Sequence, residues 1–177
     1  MRLILSAVVA VAVPLLGQPS RPSSEYQNWM KQGVEALVHQ GYDEAVGAFQ
    51  RAVDLAPYAL NPRLNLATAL MRQYDPDSVS IENLAIANRS HAEFQRVLDF
   101  YPNNELAVIS IGLLALGQAN GASGPQERGR MLDEARYWYR KALDINPRNR
   151  EAWYNLGLIA WKHWYPNHAR RGFTLPQ

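Results

Sequence analysis

The sequence predicts an all-α fold of stacked helix pairs, and three observations predict it. A nine-residue block recurs: Phe49-Gln50-Arg51-Ala52-Val53-Asp54-Leu55-Ala56-Pro57, then Phe94-Gln95-Arg96-Val97-Leu98-Asp99-Phe100-Tyr101-Pro102, then Tyr139-Arg140-Lys141-Ala142-Leu143-Asp144-Ile145-Asn146-Pro147. The closing prolines, Pro57, Pro102 and Pro147, are 45 residues apart each time. A second set, Asn65-Leu66-Ala67, Ser110-Ile111-Gly112 and Asn155-Leu156-Gly157, repeats at the same spacing. Finally, each proline follows a helix-forming run, where its missing N–H and fixed φ stop propagation. A helical unit of this size cannot bury its apolar face alone, so neighbouring units must stack.

The first element stands outside that stack. Met1 and Arg2 give a positive start, Leu3 to Val13 is apolar or small except for Ser6, and the chain turns polar from Gln18 to Ser24. This pattern reads as a secretory signal, with cleavage after Ala12 or Gly17. An uncleaved anchor is the alternative, but Leu3 to Gly17 is shorter than the roughly 20 residues of a spanning helix, and Pro14 interrupts it. Residues 1–24 are therefore assigned to a signal and linker, and the mature chain is expected in the periplasm or secreted.

The repeat itself resembles the tetratricopeptide-repeat (TPR) family. Trp153-Tyr154-Asn155-Leu156-Gly157 matches that family's first-helix signature, and Tyr42-Asp43-Glu44-Ala45 with Phe49, Ala52 and Pro57 matches its second-helix pattern. Unit one, Tyr26 to Ala59, has the family's 34-residue length, with Trp29 and Gly33 at the aromatic and glycine positions. The resemblance implies a right-handed α-solenoid of units 26–59, 60–104 and 105–149 and a partial unit 150–165, within a domain spanning 25–165. Small Gly33, Ala45 and Ala52 permit close helix approach, while Trp29, Leu37 and Phe49 fill the space around them.

Units two and three are each eleven residues longer than the family's repeat, with insertions around Tyr74 to Leu84 and Gly121 to Met131. Eleven residues make about three helical turns, so an extended second helix keeps its buried stripe in phase. Ser80 and Pro125 are helix-start residues, predicting second helices near 80–100 and 126–146. Ser90 and Val97 replace small alanines, which predicts looser packing in unit two. In unit four a helix from Arg150 is expected to stop at Tyr165-Pro166, leaving 166–177 as a tail. It is either the terminal cap or the point where a longer protein has been cut.

Other chemistry is poorly supported. A net charge of +2, with no cluster of Lys or Arg, argues against nucleic acid, and the absence of cysteine excludes disulfides and thiolate chemistry. His39, His91, His163 and His168 lack metal-ligand spacing, and Asp75, Asp77 and Glu82 lack that of a calcium loop. Gly121-Ala122-Ser123-Gly124-Pro125 lacks the preceding strand and the Lys-Ser/Thr ending of a phosphate loop. No catalytic constellation, cofactor or metal is expected, and so no enzyme.

The resemblance implies a partner surface on the first helices: Met30 and Val34, then Leu64, Thr68 and Met71, then Ile109 and Leu113, then Tyr154, Leu158 and Trp161. This groove is mostly apolar, and a protein or peptide, as a helix or hydrophobic segment, is the implied ligand. A branch of the family clamps C-terminal carboxylates there. Asn65 matches one clamp position, but Met30, Val34, Leu106 and Ser110 occupy others, so the clamp is absent. Ordinary packing between helices explains the apolar positions equally well. Other roles stay open: a structural, oligomerising subunit of a larger envelope or secretion assembly, self-association through the C-terminal unit, and the regulatory part of a longer enzyme.

Overall fold

The computed structural model describes residues 23–169, with side chains through Lys162. The signal (1–22 of it) and the tail beyond 169 lie outside the described residues. The described chain is seven helices: α1 (Ser24–Val38), α2 (Tyr42–Leu55), α3 (Leu60–Gln73), α4 (Ile81–Phe100), α5 (Glu105–Gly121), α6 (Pro125–Ile145) and α7 (Arg150–Ala169). Each helix packs on the next in sequence, and α3 also touches α5, so the whole is an all-α repeat solenoid.

Local chemistry sets the helix ends. Ser23, Ser80, Asn104 and Asn149 accept N–H bonds from Tyr26, Asn83, Ala107 and Ala152, satisfying donors that each first turn leaves open. Pro125 opens α6. Each second helix ends two residues before its proline, at Leu55, Phe100 and Ile145. The insertions lengthen these helices: α4 has 20 residues and α6 has 21, against 14 in α2.

Two expectations are corrected. Ser90 and Val97 do not loosen unit two, since both are fully buried and the Ser90 hydroxyl donates to the Ala67 carbonyl at 2.9 Å. The hydroxyl thus gains a partner that a smaller alanine lacks. Nor does α7 stop at Tyr165-Pro166; it continues to Ala169. A proline inside a helix forfeits one backbone bond and bends the axis, without having to end the helix.

The core lies between the layers of first and second helices. Phe49 fills the space over Gly33, where an added Cβ would stand 2.5 Å from its ring. Tyr139 does the same over Gly112 at 3.1 Å. One cluster gathers Ala45, Phe49, Val53, Leu66, Ala69 and Leu70, and a larger one runs from Ala67 through α5 to Ile159.

Candidate functional site

The first helices α1, α3, α5 and α7 carry the candidate groove. Val34, Tyr154 and Trp161 are open to solvent, Tyr154 most of all at 72% exposure. Met30, Leu64, Met71, Leu113 and Leu158 are half-buried, each leaning on one of the two core clusters. Thr68 is half-buried too, with its hydroxyl donating to the Leu64 carbonyl one turn back.

Ile109 is a correction. It is 6% exposed and belongs to the larger core cluster. α5 is apolar around its whole circumference and is packed by α3, α4 and α6, which leaves no solvent face at that position. Leu106, one turn earlier on α5, is 51% exposed and takes its place on the open surface.

A concavity lies at one end of the groove. A cleft of about 390 Å³ is lined by Leu37, Val38, Gln40, Tyr42, Thr68 and Arg72. Gln40 closes the α1–α2 turn in the left-handed region, at φ 60°, so the chain reverses within three residues. Opposite, Gln73 donates to the Asp43 carboxylate at 2.5 Å and ties α3 to α2. Gln40 and Tyr42 were absent from the predicted surface. They reach the cleft only through this turn, which the Gln40-Gly41 pair signals, although the cleft itself depends on where α3 docks.

Elsewhere the acids of the first insertion form a turn. The Asp77 N–H donates to the Asp75 carboxylate at 3.0 Å, and buried Asn83 donates to the Asp75 and Ser78 carbonyls. Among the described residues no group of three His, Asp or Glu could hold a metal ion, and no helix is long and apolar enough to cross a membrane.

The arrangement is similar to known repeat domains. Residues 129–163 match the profile described as TPR repeat. The fold is similar to the first TPR of Spaghetti (RPAP3) bound to the HSP90 peptide SRMEEVD, with a TM-score of 0.61, 19% identity, and 80% of this chain and 94% of that one covered. It is similar to the Sgt2 TPR domain from Aspergillus fumigatus, with a TM-score of 0.61 and 17% identity over 91% and 92% of the chains. It is also similar to the second TPR domain of human RPAP3 in complex with the HSP70 peptide SGPTIEEVD, with a TM-score of 0.60 and 15% identity over 78% and 98%. No curated protein matches. The fold is that of these tetratricopeptide-repeat domains, an all-α helical repeat solenoid.

Proposed function

We propose that this chain is a non-catalytic interaction module that holds an apolar peptide segment or helix of another protein against its first helices. The observation that carries the reading is the solvent-open apolar set on that side: Val34, Val38, Leu106, Tyr154 and Trp161 are 47%, 73%, 51%, 72% and 56% exposed. Exposed apolar surface of this kind marks interaction sites. Two of the similar domains are bound to peptides ending Glu-Glu-Val-Asp. Here Met30, Val34 and Leu106 stand where the family's carboxylate clamp has basic or asparagine residues, so an apolar segment suits the surface better than an acidic terminus. An exported setting, periplasmic or secreted, belongs to the same proposal and rests on the pattern of residues 1–24.

Selection of a displayed random-peptide library on the chain tests the groove. The selected peptides should be apolar, and Val38→Glu and Tyr154→Glu, both at exposed positions, should each weaken binding at least about tenfold. Peptides that bind both variants with unchanged affinity, or a library that yields no binder, overturn the reading. A second reading, self-association through the C-terminal unit, is favoured by the aromatic rings that α7 leaves in solvent.

A further inference from the structure

The same glycine position recurs in units one, three and four, and the last differs from the first two. Gly33 lies beneath Phe49, and Gly112 lies beneath Tyr139, each covered by the second helix of its own pair. Gly157 holds the equivalent place on α7, yet among the described residues nothing beyond its own helix comes within 4 Å of where a Cβ would stand. Beside it, Trp153 is 59% exposed, although its indole N–H donates to the Pro147 carbonyl at 3.0 Å. α7 thus carries the close-approach glycine and the aromatic of a helix–helix contact, with the contact face open.

That face is self-complementary. With 3.6 residues per turn, Trp153 and Trp161 lie four residues on either side of Gly157 and about 40° to either side of its direction. The buried residues of α7, Ala152, Asn155 and Ile159, lie on the opposite side against the core. Trp161 is 56% exposed, and no charged side chain falls between the two rings on this stripe. If two such helices run antiparallel about a two-fold axis at Gly157, the glycines let the backbones approach. At each end, Trp161 of one copy then lies beside Trp153 of the other, on opposite sides of the seam, and the rings interleave without colliding. An isologous contact requires this property, a patch that fits itself.

We propose that α7 is a homodimer seam, in which a second copy's α7 covers Gly157 between Trp153 and Trp161. The proposal rests on the self-association reading and shares Trp161 with the peptide groove. The second α7 continues the solenoid, taking on α7 the place that α6 takes on α5. One helix against one helix buries less than the roughly 1,200 Å² of a standard interface, so the dissociation constant falls in the micromolar range.

The chain has no cysteine, so a single introduced thiol reports directly on the seam. Gly157→Cys should form a disulfide-linked dimer at least about tenfold faster than Tyr137→Cys, an exposed control on α6. Sedimentation of the full chain from about 1 to 300 µM should show a monomer–dimer equilibrium around the micromolar range. Trp153→Glu and Gly157→Leu should each shift it to monomer while keeping wild-type helicity, and Val38→Glu, at an exposed position on α1, should leave it dimeric. A monomer at every concentration defeats self-association altogether. A dimer that survives both Trp153→Glu and Gly157→Leu, or equal crosslinking at 157 and 137, keeps self-association and defeats the seam.

Discussion

Units two and three have the same length and topology but are held together by different forces. Between α3 and α4 the ties are polar. Arg63 donates to Glu93 at 2.8 Å and to the Pro57 carbonyl at 2.8 Å, Arg96 also bonds Glu93, and Ser90 reaches the Ala67 carbonyl. Asn83, also buried, accepts from the Asp75 N–H and donates to two carbonyls, locking the inserted loop onto the start of α4. Between α5 and α6 the contact is mainly apolar, with Tyr139 over Gly112 and Leu132, Ala135 and Ala142 alongside, and a polar tie sits at its end, where Asn146 donates to the Glu105 carboxylate at 2.9 Å. The loop before α6 is tied by Ser123 to the exposed Glu127, which the bond holds below its ordinary pKa. Directional bonds define one geometry and are costly to break singly, whereas apolar packing spreads its contribution over many weak contacts.

Breaking the polar unit should therefore have the largest effect. Glu93→Ala strands Arg63, whose side chain is only 13% exposed, and should destabilise the fold by about 3 kcal/mol. Urea unfolding measures it, and a loss within the scatter of surface substitutions would show that the pair is not what joins α3 to α4. Asn83→Ala comes next, at about 2 kcal/mol, because it leaves an N–H and two carbonyls of the inserted loop without their partner. Hydrogen exchange should then rise first at residues 75–83. Unchanged protection there would mean that packing of Tyr74 and Pro76 on Gly117 holds the loop without Asn83's help.

This contrast also explains what the sequence made legible. The period, the helix starts at Ser80 and Pro125 and the lengthened α4 and α6 were all readable, because prolines, caps and a helical phase are local signals. The ion pair of Arg63 with Glu93 and the clasp of Asn83 were not, since they join residues brought together only by folding. Ser90 misled because a serine in an alanine position reads as poorer packing until its carbonyl partner is known. Ile109 was placed on the open surface by its position in the repeat, although the run from Leu106 to Leu116, apolar except at Ser110 and Gly112, already signalled a largely buried helix. Val34 and Tyr154 are open where the repeat pattern put them, because α1 and α7 each have fewer neighbours than α5.

The smallest expected effect probes the mainly apolar unit at a buried hydroxyl. The Tyr139 hydroxyl is buried and has no hydrogen-bond partner among the described residues, while Phe49 and Phe94 hold the equivalent positions without one. Removing an unsatisfied group while keeping the ring's shape costs little, so Tyr139→Phe should change stability at neutral pH by between zero and about 1 kcal/mol in the stabilising direction. Burial, with a smaller contribution from the Glu151 carboxylate, raises the Tyr139 pKa well above its ordinary 10.0. The folded state therefore keeps the proton that the unfolded state releases. Stability linked to this group is complete below pH 10 and declines as pH rises beyond it. Tyr139→Phe should accordingly gain on wild type as pH climbs past 10, with the two chains compared by urea unfolding at each pH. A variant less stable at neutral pH, or a gap that does not widen under alkali, would mean that the hydroxyl has a partner in solution and that unit three is less purely apolar than its packing indicates.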